Sequence, residues 1–170
     1  MTKTRMEERW KHLNGHIYKT PPLLIHASPE MVWQHVIDIK NYEIYSKKVV
    51  RGHVDGKPEA GKKIILTLPA LGKILQTSEE KISIVDHDKK VIGWERVLPG
   101  GSVTERYQWL EETAEGETLS HIALSIPGWS GFFTKVFKNT IEHAFDSINQ
   151  GIKQASELEM EQPGLENKRR

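Results

Sequence analysis

Leu23-Leu-Ile-His-Ala-Ser-Pro-Glu-Met-Val-Trp-Gln-His-Val-Ile-Asp-Ile39 holds two kinds of structure back to back. Leu23-Leu24-Ile25 is an apolar run suited to a strand. Pro21-Pro22 before it forbids helix and removes two amide donors, so the strand must begin at a sheet edge. Ser28-Pro29-Glu30 then starts a helix: the serine can cap free amides, proline at the first helical position gives up no hydrogen bond, and the glutamate complements the helix dipole. Val32, Val36 and Ile39 recur on one face of the turns that follow. A second short helical piece over 41–46 brings Tyr42, Ile44 and Tyr45 near the core.

Outward from this stretch, the chain reads extended from Tyr18 to Ala27 as a first strand. The sixteen residues before it predict a short amphipathic helix, with Met6, Trp10 and Leu13 at helical spacing and Asn14-Gly15 as its stop. On the other side, apolar and β-branched runs alternate with turn chemistry. They predict six strands over 47–54, 62–69, 74–85, 90–98, 102–112 and 117–126. The gaps between them are short enough to force antiparallel neighbours. After Pro127-Gly128 the period becomes 3.6 for about thirty residues, with Phe133, Phe137, Ile141, Ala144, Phe145, Ile148, Ile152 and Ala155 on one stripe. The expected organisation is a helical extension over 1–16, one domain over 17–160 and a frayed tail over 161–170.

A length of 170 residues fits one domain. Lysine plus arginine number 24 against 23 acidic residues, a formal charge of +1, which removes the basic excess of a nucleic-acid binder. With no cysteine, disulfides, thiolate catalysis and cysteine-based metal sites are excluded. No run approaches the ~20 apolar residues of a membrane span, so integral membrane association is not expected. Met-Thr-Lys-Thr-Arg-Met at the start has no apolar core, so a cytoplasmic location is the expectation.

The order of elements predicts an α+β, helix-grip architecture: a seven-stranded antiparallel sheet curved around one long C-terminal helix, with two short helices after strand one. A curved sheet and a straight helix touch along a line and diverge elsewhere, which leaves a space between them. Ile25-His-Ala-Ser-Pro-Glu-Met-Val-Trp33, Asp38-Ile-Lys-Asn-Tyr42, the meander and the final helix together resemble the START-like or Bet v 1-like (SRPBCC) superfamily, in its bacterial polyketide cyclase and dehydrase branch. The resemblance covers about residues 18–158. It implies a cavity between sheet and helix, and relatives that bind lipids, quinones, polyketides or plant hormones, or assist chaperones. The partner it implies is a small hydrophobic ligand.

Alternation places Ile92, Trp94, Arg96 and Leu98 on one face of their strand. It likewise groups Val103, Glu105, Tyr107, Trp109 and Glu111 on the next strand, and Ser120, Ile122, Leu124 and Ile126 on the last. With the apolar members taken as inward, the expected lining is Trp33 and Tyr45 from the two short helices and Leu66, Trp94, Trp109, Ile122 and Leu124 from the sheet. Phe133, Phe137, Ile141 and Phe145 supply the helix side. Arg96 is then the anion anchor and Tyr107 the hydrogen-bonding one. A plainer reading stands beside this: Arg96 pairs at the surface with Glu95 or Glu105, and the aromatics only fill the core.

Of the eight histidines His12 and His16 are four apart, but Gly15 interrupts the helix and no zincin motif is completed, so neither a metal site nor a cofactor is expected. His121, Glu95, Glu105 and Tyr107 are the acid–base candidates near the cavity, and they form no recognisable dyad. The order of readings is therefore a carrier or sensor of a hydrophobic molecule, then a cyclase or dehydratase acting on one, then a protein-interaction module favoured by Trp10. Oligomeric state is not readable from the sequence.

Overall fold

A computed structural model describes residues 15–46, 51–69, 75–98, 101–127 and 131–161, with their side chains except at 15–16, 68–69, 75–76, 126–127 and 131–145. The elements run β1 (Gly15–Lys19), β2 (Leu23–Ile25), α1 (Pro29–Ile37), a 3-10 turn (Ile39–Asn41), α2 (Tyr42–Tyr45), β3 (Arg51–Val54), β4 (Lys63–Pro69), β5 (Leu75–Asp86), β6 (Val91–Val97), β7 (Val103–Glu112), β8 (Thr118–Pro127) and α3 (Gly131–Glu161). The helix-grip arrangement is thus present. Its antiparallel sheet runs β1-β8-β7-β6-β5-β4-β3, with β2 also paired to β8.

The first strand is two. Gly15–Lys19 and Leu23–Ile25 both pair with β8, and Thr20-Pro21-Pro22 interrupts the ladder between them. Of the helix expected over 1–16, residues 1–14 lie outside the described residues. Gly15 and His16 are strand, because their backbone groups find partners opposite Pro127 and Ile126. At α1 the Ser28 hydroxyl accepts from the Met31 amide at 3.4 Å, with Pro29 at the first helical position.

The core fills the end of the sheet spanned by α1, α2 and the C-terminal half of α3. Ile25, Val32, Trp33, Val36, Ile39, Tyr42, Ile64, Leu66, Ile82, Ile92, Trp94, Ile148 and Ile152 form one buried cluster. Elements approach closely where no side chain intervenes: a Cβ at Gly151 would fall on the Tyr45 carbonyl, so only glycine lets α2 rest directly on α3. Further ties are hydrogen bonds from Lys153 Nζ to the Leu24 carbonyl at 2.7 Å and from the His26 amide to Glu157 Oε1 at 2.9 Å. They hold β2 against α3.

A bulge at Ser83 changes the alternation of β5. Ile82 pairs with Trp94 and Ile84 with Gly93, so Ile82 and Val85 both turn towards α3 while Ile84 turns away. Of the described helices, none is long and apolar enough to cross a membrane.

Candidate functional site

The hairpin register decides which side chains face α3. Trp94 lies opposite Arg106 and Ile92 opposite Gln108; in turn Arg106 lies opposite Leu124 and Gln108 opposite Ile122. Directly paired residues share a face, and Gln108 Nε2 donates to Asn149 Oδ1 of α3 at 3.2 Å. The inward face of β7 is therefore Thr104, Arg106, Gln108 and Leu110. This corrects the expectation for Tyr107 and Trp109, which lie on the face turned away from α3. There they cluster with Val91 and Ala123. The apolar count of β7 favours the wrong row, because the strand is buried on both sides from Glu105 to Leu110.

Arg106 is the most unusual residue of the inward face. Its side chain is buried, 5% exposed, and its guanidinium sits 4.5 Å from the centre of the Trp94 ring. A cation over an indole gains up to ~2 kcal/mol when desolvated, which offsets part of the cost of burying it. Burial pushes the guanidinium below its ordinary value, and the nearby Tyr42 and Glu80 oppose that shift. Arginine nonetheless stays protonated in proteins.

Glu80 reaches the same region from β5, with its carboxylate accepting from Ser78 Oγ at 2.8 Å. Burial raises its carboxyl above the ordinary carboxylate value, against the Ser78 hydrogen bond and the charges of Arg106 and Arg96. Arg96 follows Trp94 on the inward row, half-buried and near enough to act on Glu80. Tyr42, whose hydroxyl donates to the Val36 carbonyl at 2.7 Å, is pushed up to about 12, chiefly by burial. The inward face thus carries two arginines and one carboxyl of raised affinity for its proton.

A second polar group ties sheet to helix. Ser120 Oγ donates to Asn149 Oδ1 at 2.8 Å, and Gln108 Nε2 reaches Ser120 Oγ at 3.3 Å. Gln108 is fully buried, and its Oε1 has no hydrogen-bond partner among the described residues. A buried acceptor of this kind suits a donor brought by a ligand or by water.

The remaining sequence candidates divide. Leu66 and Trp94 are buried in the core, and Ile122 and Leu124 stand on the inward row of β8. Trp33 belongs to the filled end, where its indole donates to His87 Nδ1 at 3.1 Å. Tyr45 is half-buried outside the inward sheet face; its hydroxyl lies 3.0 Å from His35 Nδ1 and donates to Asp38 Oδ2 at 3.1 Å. Phe133, Phe137, Ile141 and Phe145 lie on α3, and their side chains are outside the described residues.

Of the acid–base candidates, Glu105, Tyr107 and His121 are on the outer face: Tyr107 donates to Glu105 at 2.5 Å, and His121 stacks on Trp109 at 4.8 Å. Glu95 pairs with Lys81 at 3.6 Å. The sequence reading missed Glu80 and Arg106. The register of the β6–β7 hairpin is the signal that finds Arg106, since an inward Trp94 carries its partner inward. Among the described residues no three histidine or acidic side chains stand together as a metal site.

A family model described as polyketide cyclase/dehydrase and lipid transport matches residues 23–157. No curated protein matches the chain in sequence. Among solved structures, an aromatase/cyclase from Streptomyces sp. R1128 superposes with a TM-score of 0.71 at 11% identity, covering 88% of this chain and 99% of that one. A START superfamily protein from Mycobacterium smegmatis gives 0.62 at 16% identity, over 83% and 99%. The protein Ara h 8.0201 gives 0.65 at 10% identity, over 83% and 97%. At such identities these are likenesses of fold.

Proposed function

The chain belongs to the polyketide cyclase/dehydrase and lipid transport family, and on that premise we propose that it binds a small, largely apolar molecule bearing an anionic or carbonyl oxygen between the sheet and α3. One observation carries this reading: a guanidinium buried over Trp94 on the inward face, with a carboxyl beside it. A buried guanidinium is costlier to pack than an apolar residue of similar volume. A ligand oxygen, by contrast, gains a fixed donor in a medium of low dielectric constant. Leu124 and Ile122 beside Arg106 supply apolar wall, and Gln108 Oε1 supplies an acceptor for a ligand hydroxyl.

The test is mass spectrometry under native conditions on freshly purified protein, with organic extraction of any adduct, followed by titration with 1-anilinonaphthalene-8-sulfonate. Arg106→Met is expected to weaken binding of this apolar anion about tenfold, which corresponds to ~1.4 kcal/mol. A clean apo mass together with unchanged affinity in a folded Arg106→Met protein sinks the proposal.

A second reading, a cyclase or dehydratase acting on the bound molecule, is favoured by Glu80. A carboxyl with raised proton affinity beside a fixed cation suits proton transfer to a carbonyl that the cation polarises. The two readings separate on incubation: an extracted ligand that returns unchanged supports carriage, and one that loses water or closes a ring supports catalysis.

A further inference from the structure

Resting on the binding site proposed above, we infer that it selects apolar acids and admits them together with a proton: the ligand's anionic group pairs with Arg96, and Glu80 on the neighbouring strand becomes neutral. Arg96 stands opposite Thr104 on the inward row and is half-buried. The carboxylates that its sequence neighbourhood offers are engaged elsewhere. Glu95 is paired with Lys81, and Glu105 accepts from Tyr107 on the outer face. Among the described residues the Arg96 guanidinium has neither a hydrogen bond nor an ion pair. A planar fork of five donors, half withdrawn from water and unanswered, is suited to a carboxylate or sulfonate.

Glu80 shares this face. It lies opposite Ile64 of the core, and beyond the pair Lys81–Glu95 the next residues of β5 and β6 are Glu80 and Arg96. Its carboxylate is half-buried, accepts from Ser78 Oγ at 2.8 Å and, among the described residues, is paired with neither arginine. Arg96 and Arg106 nevertheless act on it through space: both favour its ionised form, burial favours the neutral one, and burial prevails. An anion docked on Arg96 offsets a charge that helps to keep Glu80 ionised and adds a like charge beside it. Both changes drive Glu80 towards taking a proton from the solvent.

The sign follows. The complex holds more protons than the free protein, so affinity rises as pH falls, and it levels off where Glu80 is already neutral in the free protein. Few other described groups near the two arginines can titrate. Tyr42 of α2, pushed up to about 12, stays neutral; Tyr18 of β1 stands opposite Leu124, and β4 brings Ile64 and Leu66. His16 of β1 and Lys135, Lys138, Glu142 and His143 of α3 belong to positions whose side chains are outside the described residues. Histidine ordinarily titrates near neutral pH, so the Glu80→Gln variant is what separates Glu80 from these.

The test uses the full chain and two probes: 1-anilinonaphthalene-8-sulfonate, ionised throughout, and N-phenyl-1-naphthylamine, the same skeleton without the sulfonate. The sulfonate is expected to bind several-fold more tightly as pH falls from about 8 to about 5, and calorimetry in two buffers of different ionisation enthalpy is expected to show net proton uptake. Glu80→Gln is expected to remove both effects. Arg96→Met is expected to cut the preference for the sulfonate over the neutral probe about tenfold, while binding of the neutral probe by both variants reports that they are folded. Sulfonate binding without proton uptake, the same uptake in Glu80→Gln, or an undiminished preference in Arg96→Met overturns the coupling and leaves the binding site standing. Binding of neither probe by the unaltered protein overturns the site itself, and the coupling with it.

Discussion

Strand β7 presents two surfaces built on different rules from one run of six residues. Towards α3 it offers Arg106, Gln108 and Leu110, two of them polar and held by cation–π contact or by hydrogen bonds to Ser120 and Asn149. Away from α3 it offers Glu105, Tyr107 and Trp109, an aromatic pair closed by its own short bonds to Glu105 and Glu111. On the aromatic side, Tyr107 and Trp109 each donate to a carboxylate two residues away on the same strand. The polar side faces α3, and under the proposed function it is the side that a ligand oxygen would meet. Aromatic content therefore does not pick out the row that faces α3 in this protein.

The contrast can be broken from the inside first. Trp94→Ala removes the indole under Arg106 and leaves a cavity in the core; a loss of ~3–5 kcal/mol in urea denaturation is expected, together with weakened binding of 1-anilinonaphthalene-8-sulfonate. From the outside, Gly93→Ala drives a Cβ into the Tyr107 ring and is expected to cost ~1–3 kcal/mol while leaving that affinity as it was. An equal loss of binding in this variant would mean that the two faces are not separate. Tyr107→Phe deletes the hydroxyl that donates to Glu105 and is expected to cost ~1–3 kcal/mol, again without effect on binding.

The smallest effect concerns protons. A carboxyl whose folded value lies above its unfolded one binds more protons when folded, so stability falls as pH rises from the unfolded value through the raised one. Glu80→Gln is expected to flatten that part of the pH profile of stability. Identical slopes for the two proteins, from denaturation at a series of pH values, would remove Glu80 from the account.

Much of the fold could be read from short-range chemistry. Ser28-Pro29-Glu30 marks the start of α1 through groups that act within one turn, and the turn residues bound β6, β7 and β8 to within a residue or two. The site was less legible, for a reason that the β6–β7 hairpin makes plain. Alternation divides each strand into two rows but does not say which row faces the helix, and the choice was made strand by strand on apolar content. Pairing couples those choices. With Val97 opposite Val103, Trp94 and Tyr107 cannot both point inward. Glu80 was hidden differently, because the Ser83 bulge spoils the alternation of β5 and a bulge is set by the partner strand. For Phe133 and Phe137 the backbone of α3 is described and the side chains are not.

The interruption at Thr20-Pro21-Pro22 also bears on self-association. The outermost ladder position on the β8 side is split into segments of five and three residues, and between them two consecutive prolines present no amide hydrogen. The opposite margin, β3, is four residues long and turns Arg51 and His53 outward. Along the described residues of either margin, a strand from another molecule would find no long unbroken row of free donors and acceptors. These stretches of a wide antiparallel sheet are thus poor templates for fibre growth.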